Sequence, residues 1–196
     1  MPASARRVTA DDLIPDAEYA LQRKARRAAL LPAKRLRRVH LGPHCTFIFE
    51  SYDTMLFQIQ EMLLTERGGA AQVEDELLAY NPLIPQGREL VATVMFEIED
   101  ADRRAAILNQ LGDVEGHFFM SIGRARVTGE PEGDEERTRD GKTSAVHFLR
   151  FRFTDEATAA FRDPATPVMI GCDHPRYGHL AVLAEDTRAE LARDLA

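Results

Sequence analysis

The sequence is poor in cysteine and has no long apolar run. Two cysteines in 196 residues cannot build the disulfide framework of a small secreted domain, and no stretch stays apolar for long enough to span a bilayer. Met1 to Asp12 is polar and lacks the apolar centre of a signal peptide. The expected compartment is therefore the reducing cytosol. Glycine-rich phosphate cradles are also missing. Gly141-Lys142-Thr143-Ser144 ends like a P-loop, yet Glu136 stands where that loop needs glycine, and the residues that follow read as a strand where a helix N-terminus must face the phosphates. With no Gly-x-Gly-x-x-Gly and no Gly-x-Ser-x-Gly, nucleotide cofactors and serine-hydrolase triads lose their support. What is present is 44% apolar and 29% charged residues, the balance of a globular domain and not of collagen, a coiled coil or a disordered chain.

Charge is unevenly placed. Up to His44 there are ten Lys and Arg against four Asp and Glu, whereas fifteen face twenty-eight in the remainder. Between Tyr19 and Arg38 the cations Arg23, Lys24, Arg26, Arg27, Lys34, Arg35, Arg37 and Arg38 occur without one acid. Such a run attracts polyanions, but no helix-turn-helix, zinc-finger or RNA-binding aromatic signature accompanies it, which argues against nucleic acid. Its Leu21, Leu30, Leu31 and alanines equally suit docking on the acidic body of the chain or on a sister subunit, making a homodimer one expected assembly.

Periodicity predicts a single α+β domain over 1–196: a largely antiparallel sheet with helices packed on it, a basic helical arm over 1–35 and an acidic mobile loop over 129–141. The arm's helix runs from Asp16 to about Pro32. A hairpin follows, with Arg37 to Leu41 and Cys45 to Glu50 flanking Gly42-Pro43. Asp53 to Arg67 and Gln72 to Tyr80 read as helices, closed by Gly68-Gly69 and Asn81-Pro82 respectively. Leu90 to Glu99 alternates as a half-buried strand, Ala101 to Leu111 is helical, and Phe118 to Val127 and Ser144 to Phe153 are long strands. A helix from Asp155, short strands at Val168 to Ile170 and Leu180 to Leu183, and a helix from Glu185 complete the chain.

Two groups of residues carry potential chemistry. On the helix from Asp53, the polar stripe Thr54, Gln58, Glu61 and Thr65 lies in a mostly apolar circumference. Buried there, the Glu61 carboxylate must be paired, hydrogen-bonded or metal-bound; alternatively the stripe is the wet edge of a packed helix. His147 shares its strand face with Leu149, Phe151 and Phe153 and is expected inside, as a core histidine or a ligand. Cys172, His174 and His179 occupy a second window, shaped into a tight loop by Pro175 and Gly178, while His40, His44 and Cys45 occupy the early hairpin. The ligand spacing does not fit a zinc knuckle. An oxygen-and-nitrogen site of Glu61, His147, His174 and His179 suits iron, manganese or zinc.

The words Arg37-Arg38-Val39 with Gly42-Pro43, Phe49-Glu50 with Asp53-Thr54, Gln58-Ile59-Gln60-Glu61-Met62, Ala79-Tyr80-Asn81-Pro82-Leu83-Ile84-Pro85 and Lys142-Thr143-Ser144-Ala145-Val146-His147-Phe148-Leu149-Arg150-Phe151 resemble the bacterial family known as domain of unknown function 3501. The resemblance runs along most of the chain. It carries no catalytic residues over, but it implies a setting beside rubrerythrin-like diiron proteins and iron–sulfur proteins. The paired Glu-x-x-His motifs and four-cysteine sets of those proteins are missing here, so an accessory role is expected and not the redox centre. Two readings stand. In one, the chain is a metal-binding accessory of an oxidative-stress or electron-transfer system, with Lys142 and Arg150 drawing an anionic ligand or partner. In the other, it is a non-catalytic module that docks an acidic protein or nucleic acid through its basic segment, Arg26 and Arg27 included.

Overall fold

Gly42 and Gly123 both adopt positive φ, +64° and +57°, and each lets the chain turn back on itself within a hairpin. The structure, a computed structural model, describes residues 6–132, 138–139 and 142–195. In chain order the elements are α1 (Asp16–Leu36), β1 (Arg38–Leu41), β2 (Cys45–Phe49), α2 (Tyr52–Glu66), α3 (Gly69–Tyr80), β3 (Glu89–Phe96), α4 (Ala101–Leu108), β4 (Phe118–Ile122) and β5 (Ala125–Pro131). Then come β6 (Thr138–Arg139), β7 (Lys142–Thr143), β8 (Val146–Arg152), α5 (Asp155–Arg162), β9 (Val168–His174), β10 (Tyr177–Val182) and α6 (Glu185–Leu191).

Eight strands form one sheet in the order β1-β2-β3-β8-β5-β4-β9-β10, while β6 and β7 pair separately as a short ribbon. Every pairing is antiparallel, as expected for the α+β class. The sheet curls until its two end strands lie side by side. The Tyr177 hydroxyl on β10 donates to Leu41 O of β1 (2.7 Å) and accepts from the amides of His44 (3.0 Å) and Cys45 (2.9 Å). The His179 ring lies against Gly42, where a Cβ would come within 2.5 Å of it.

Alternation sends one set of side chains inside the curl. Phe47, Phe49, Phe118 and Phe151 meet there, with Phe47 and Phe118 edge to face at 5.3 Å between centroids. Phe161 of α5 and Leu191 of α6 join this core, as do Leu108, Leu111 and Val114 around the end of α4. A second apolar cluster forms on the outer face of β3. Val91 is buried there with Val8, Met55, Ile59, Leu63, Leu83 and Ile84, and the partly buried Phe148 of β8 packs against the cluster. Helix α2 starts at a reciprocal cap: the Thr54 amide donates to Ser51 Oγ (3.3 Å) and the Ser51 amide to Thr54 Oγ1 (2.8 Å).

Several boundaries differ from the sequence expectation. Helix α1 continues through Pro32 to Leu36. Its end is held from outside by Arg37, which is 3% exposed and clamped by Asp194 (2.7 and 3.0 Å) and Glu190 (2.9 Å). The stretch from Phe118 to Val127 is two strands, because Gly123 makes a turn that hydrophobicity alone does not reveal. Helix α2 is ended by Arg67 at φ 56°, ahead of the glycine pair. The strand from Val168 runs on to His174, so Cys172 and His174 belong to a strand and not to a tight loop. Part of the acidic loop over 129–141 is sheet: Gly129, Glu130 and Pro131 pair with Phe151, Arg150 and Leu149. Thr138–Arg139 pairs with Lys142–Thr143, and residues 133–137 and 140–141 of the expected loop lie outside the described residues.

Replacing Arg37 by Met strands the buried carboxylate of Asp194 and the partly buried one of Glu190, and we expect a loss of about 3–5 kcal/mol in urea unfolding. Asp194→Leu added to Arg37→Met removes one stranded charge and should restore part of that loss.

Candidate functional site

Helix α1 is anchored on one side only. Over its 21 residues it buries a single side chain, Tyr19. The Tyr19 hydroxyl donates to Glu61 Oε1 (2.8 Å), and Arg23 grips the same carboxylate through Nε and Nη2 (2.8 and 2.7 Å). Arg23's hydrogen bonds hold the Glu61 carboxyl below the usual glutamate value. Glu61 is thus the pin between α1 and α2, the paired outcome among those open to it. Lys34 lies over the Phe57 ring of α2, 5.8 Å from its centroid. At the far end the Arg37 clamp fixes α1 to the C-terminal segment.

The side of α1 turned away from these anchors is exposed throughout. Ala17, Leu21, Lys24, Ala28, Leu31 and Arg35 recur at alternating spacings of four and three along it, and all six are exposed. That is the repeat by which one helix offers a seam to another. Leu21 is 88% and Leu31 42% exposed. Of the eight cations from Tyr19 to Arg38, three reach carboxylates: Arg23 to Glu61, Arg37 to Asp194 and Glu190, and Arg38 to Glu97. Among the described residues, Lys24, Arg27 and Arg35 form no ion pair. Arg26 instead turns to Gln22 (2.9 Å) and lines a cleft of about 290 Å³ between α1 and α2, so it belongs to the inner side of the helix.

The antiparallel register gathers all six histidines and both cysteines at one end of the curled sheet. His40 and His44 flank the β1–β2 turn, His117 precedes β4, His147 lies near the start of β8, and His174 and His179 border the β9–β10 turn. The two histidine and cysteine windows are therefore neighbours across the seam. Several of the rings nevertheless have local work. His174 donates from Nε2 to Gly112 O (3.2 Å) and accepts the Arg176 amide at Nδ1 (3.2 Å), a pattern that only neutral imidazole satisfies. Burial depresses its pKa. His147 is 1% exposed, as its strand face requires. Its Nε2 is 2.9 Å from Ser144 O and 3.2 Å from Thr143 Oγ1, and its Nδ1 faces Glu115 at 3.9 Å. His179 packs on Tyr177. Burial pushes the Cys172 thiol up to about 11 and the Cys45 thiol up as well, which keeps both protonated.

The proposed metal quartet is accordingly not one ligand set. Glu61 is committed to Tyr19 and Arg23 between two helices, while His147, His174 and His179 sit at the histidine end on separate hydrogen bonds and ring contacts. Among the described residues no three His, Cys, Asp or Glu side chains are placed to share a metal ion. Arg150 is also engaged: Nη1 donates to Glu89 (2.7 Å), Nε to Glu132 (2.7 Å) and Nη2 to Pro82 O (2.5 Å). Lys142 is exposed on β7.

Sequence reasoning passed over three arrangements. Glu50 is buried and accepts hydroxyl hydrogen bonds from Thr54 (2.7 Å) and Thr93 (2.6 Å), with burial raising its pKa against those bonds. His117 donates to Asp173 (2.9 Å), whose other oxygen accepts from Arg126 (2.6 Å). Tyr177 closes the seam. A Glu ending the apolar run from Cys45 to Phe49 was a legible sign of the first; the other two depend on strand order.

Residues 7–195 match the family described as protein of unknown function (DUF3501). The chain belongs to this family. A solved relative in structure is a protein of unknown function from Burkholderia pseudomallei K96243, 38% identical to this chain with a TM-score of 0.89. The match covers 96% of this chain and 99% of that one. No curated protein matches. Among the described residues no helix of this DUF3501 member is long and apolar enough to cross a membrane.

Two outcomes follow. Glu61→Gln weakens the pin, and amide hydrogen exchange should accelerate across α1 while the sheet strands keep their protection. For His174 the folded pKa lies below its ordinary value near 6.5, so the unfolded chain takes up the proton first. Stability should be complete above that value and fall as pH drops from it toward the folded pKa. Urea midpoints across this range should show the decline, and it should be smaller in His174→Asn.

Proposed function

We propose that this protein is a docking module whose α1 receives an acidic, amphipathic helix of a partner protein. The observation that carries this reading is the outward seam of α1: six exposed positions at helix-pairing intervals, with Leu21 and Leu31 set among cations that form no ion pair among the described residues. The leucines supply apolar area, and Lys24 and Arg35 select acidic neighbours and speed encounter. Symmetric pairing of two copies through this face would set cation against cation, which disfavours a homodimer here. Nucleic acid fits less well, since leucine and alanine occupy the centre of the face and no aromatic side chain is there to stack on bases. Among the described residues the metal-binding reading lacks an assembled ligand set. The redox setting implied by the family resemblance makes rubrerythrin-like and iron–sulfur proteins the first partners to try.

The test uses a designed helix of about three heptads with leucine at seam positions and glutamate beside them. Binding measured by fluorescence anisotropy should weaken steeply with salt. It should fall at least about tenfold in Lys24→Glu/Arg35→Glu, equivalent to ~1.4 kcal/mol, with the urea midpoint unchanged. Binding indifferent to both salt and charge reversal overturns the reading. So does a preference for single-stranded DNA or anionic vesicles over the peptide.

A further inference from the structure

A separate cavity lies away from α1 and from the histidine end. It encloses about 660 Å³ between the segment before Val8, the end of α3 and the loop that leads into β3, a volume in the range of small-molecule sites. Side-chain amides hold its walls in place. Asn81 exchanges hydrogen bonds with the backbone of Val8 (2.8 and 3.0 Å), and Gln86 Nε2 donates to Arg6 O (2.8 Å). The apolar lining is Leu77, Pro82 and Ile84, and Leu78 stands at the mouth, 77% exposed.

Its polar lining has a surplus of positive charge. Arg150 contributes from below, but Glu89 and Glu132 already answer it. That leaves Arg6 and Arg7 facing the cavity with Glu74 as the acid on its wall. Arg6 donates from Nη1 to Gln86 O, while its Nε is shut off from solvent and has no acceptor among the described residues. Arg7 is exposed and makes no hydrogen bond or ion pair among the described residues. A carboxylate entering beside Arg6 and Arg7 meets two guanidinium groups with one acid, Glu74, on the same lining.

We propose that this cavity binds an amphipathic monoanion: a carboxylate or sulfonate head on Arg6 and Arg7, with an aliphatic body along Leu77, Leu78 and Ile84. The head pairs with the guanidinium groups and the tail covers the exposed Leu78. The site is independent of the α1 docking face.

The test is calorimetric titration of the full chain with decanoate below its micelle concentration, with decanol and decyltrimethylammonium as uncharged and cationic counterparts. Decanoate should bind saturably with one site per chain, and methyl shifts in NMR spectra should concentrate at Leu77, Leu78 and Ile84. Arg7→Gln, a change at an exposed side chain, should weaken binding several-fold. Arg6→Gln/Arg7→Gln should weaken it by about tenfold or more. Arg103→Gln, which removes a charge on α4, should leave it unchanged. The proposal is overturned if decanol binds as well as decanoate, if both arginine variants bind normally, if methyl shifts fall elsewhere, or if decanoate shows no saturable binding.

Discussion

An antiparallel sheet that curls until its first and last strands meet must satisfy the backbone at its seam, and here one phenol does much of that. The Tyr177 hydroxyl serves Leu41 O and the amides of His44 and Cys45 at once, so an edge that would otherwise offer bare donors and acceptors is tied down. The close approach also explains Gly42. Its positive φ and the His179 ring against it leave no room for a side chain. With the seam closed, the phenylalanines of β2, β4 and β8 face one another across a filled interior, and α5, α6 and the end of α4 close it off.

Ionic groups then fix what lies outside this core. Arg37, Asp194 and Glu190 tie the end of α1 to the C-terminal segment, and Arg23 with Tyr19 ties its beginning to Glu61 on α2. The buried Arg37 pairs add less to stability than their short distances suggest, because desolvation opposes them, but they define geometry. Two fixed points on one side of a long helix leave the other side free. That is why α1 presents leucines and cations to solvent in a regular order.

Much of the architecture was legible. Alternation located β3 and β8, helix periodicity located α2 and α3, and His147 inside the sheet followed from its shared face with Leu149 and Phe151. The misplaced boundaries have local causes. Pro32 looks like a stop, but a clamp five residues later holds the helix together; Gly123 sits inside an apolar run and still turns the chain. Glu61 was marked as a candidate metal ligand, and the structure gives it Tyr19 and Arg23 as partners. Which partner it has was not readable, since Tyr19 and Arg23 lie about forty residues away in sequence and meet it only when α1 packs on α2.

The sequence by itself determined the α+β class, the family, the faces of the central strands and the existence of a cationic N-terminal helix, because these rest on local spacing and composition. Tertiary structure decided which charges remain unanswered. It brought the histidine windows together at one end without making them a common ligand set, used Arg150 for Glu89 and Glu132, and left Lys24, Arg35, Arg6 and Arg7 turned outward or into a cavity. Strand order and helix docking set those distances, and Coulomb and hydrogen-bond energies depend on distance and burial, which no one-dimensional pattern contains.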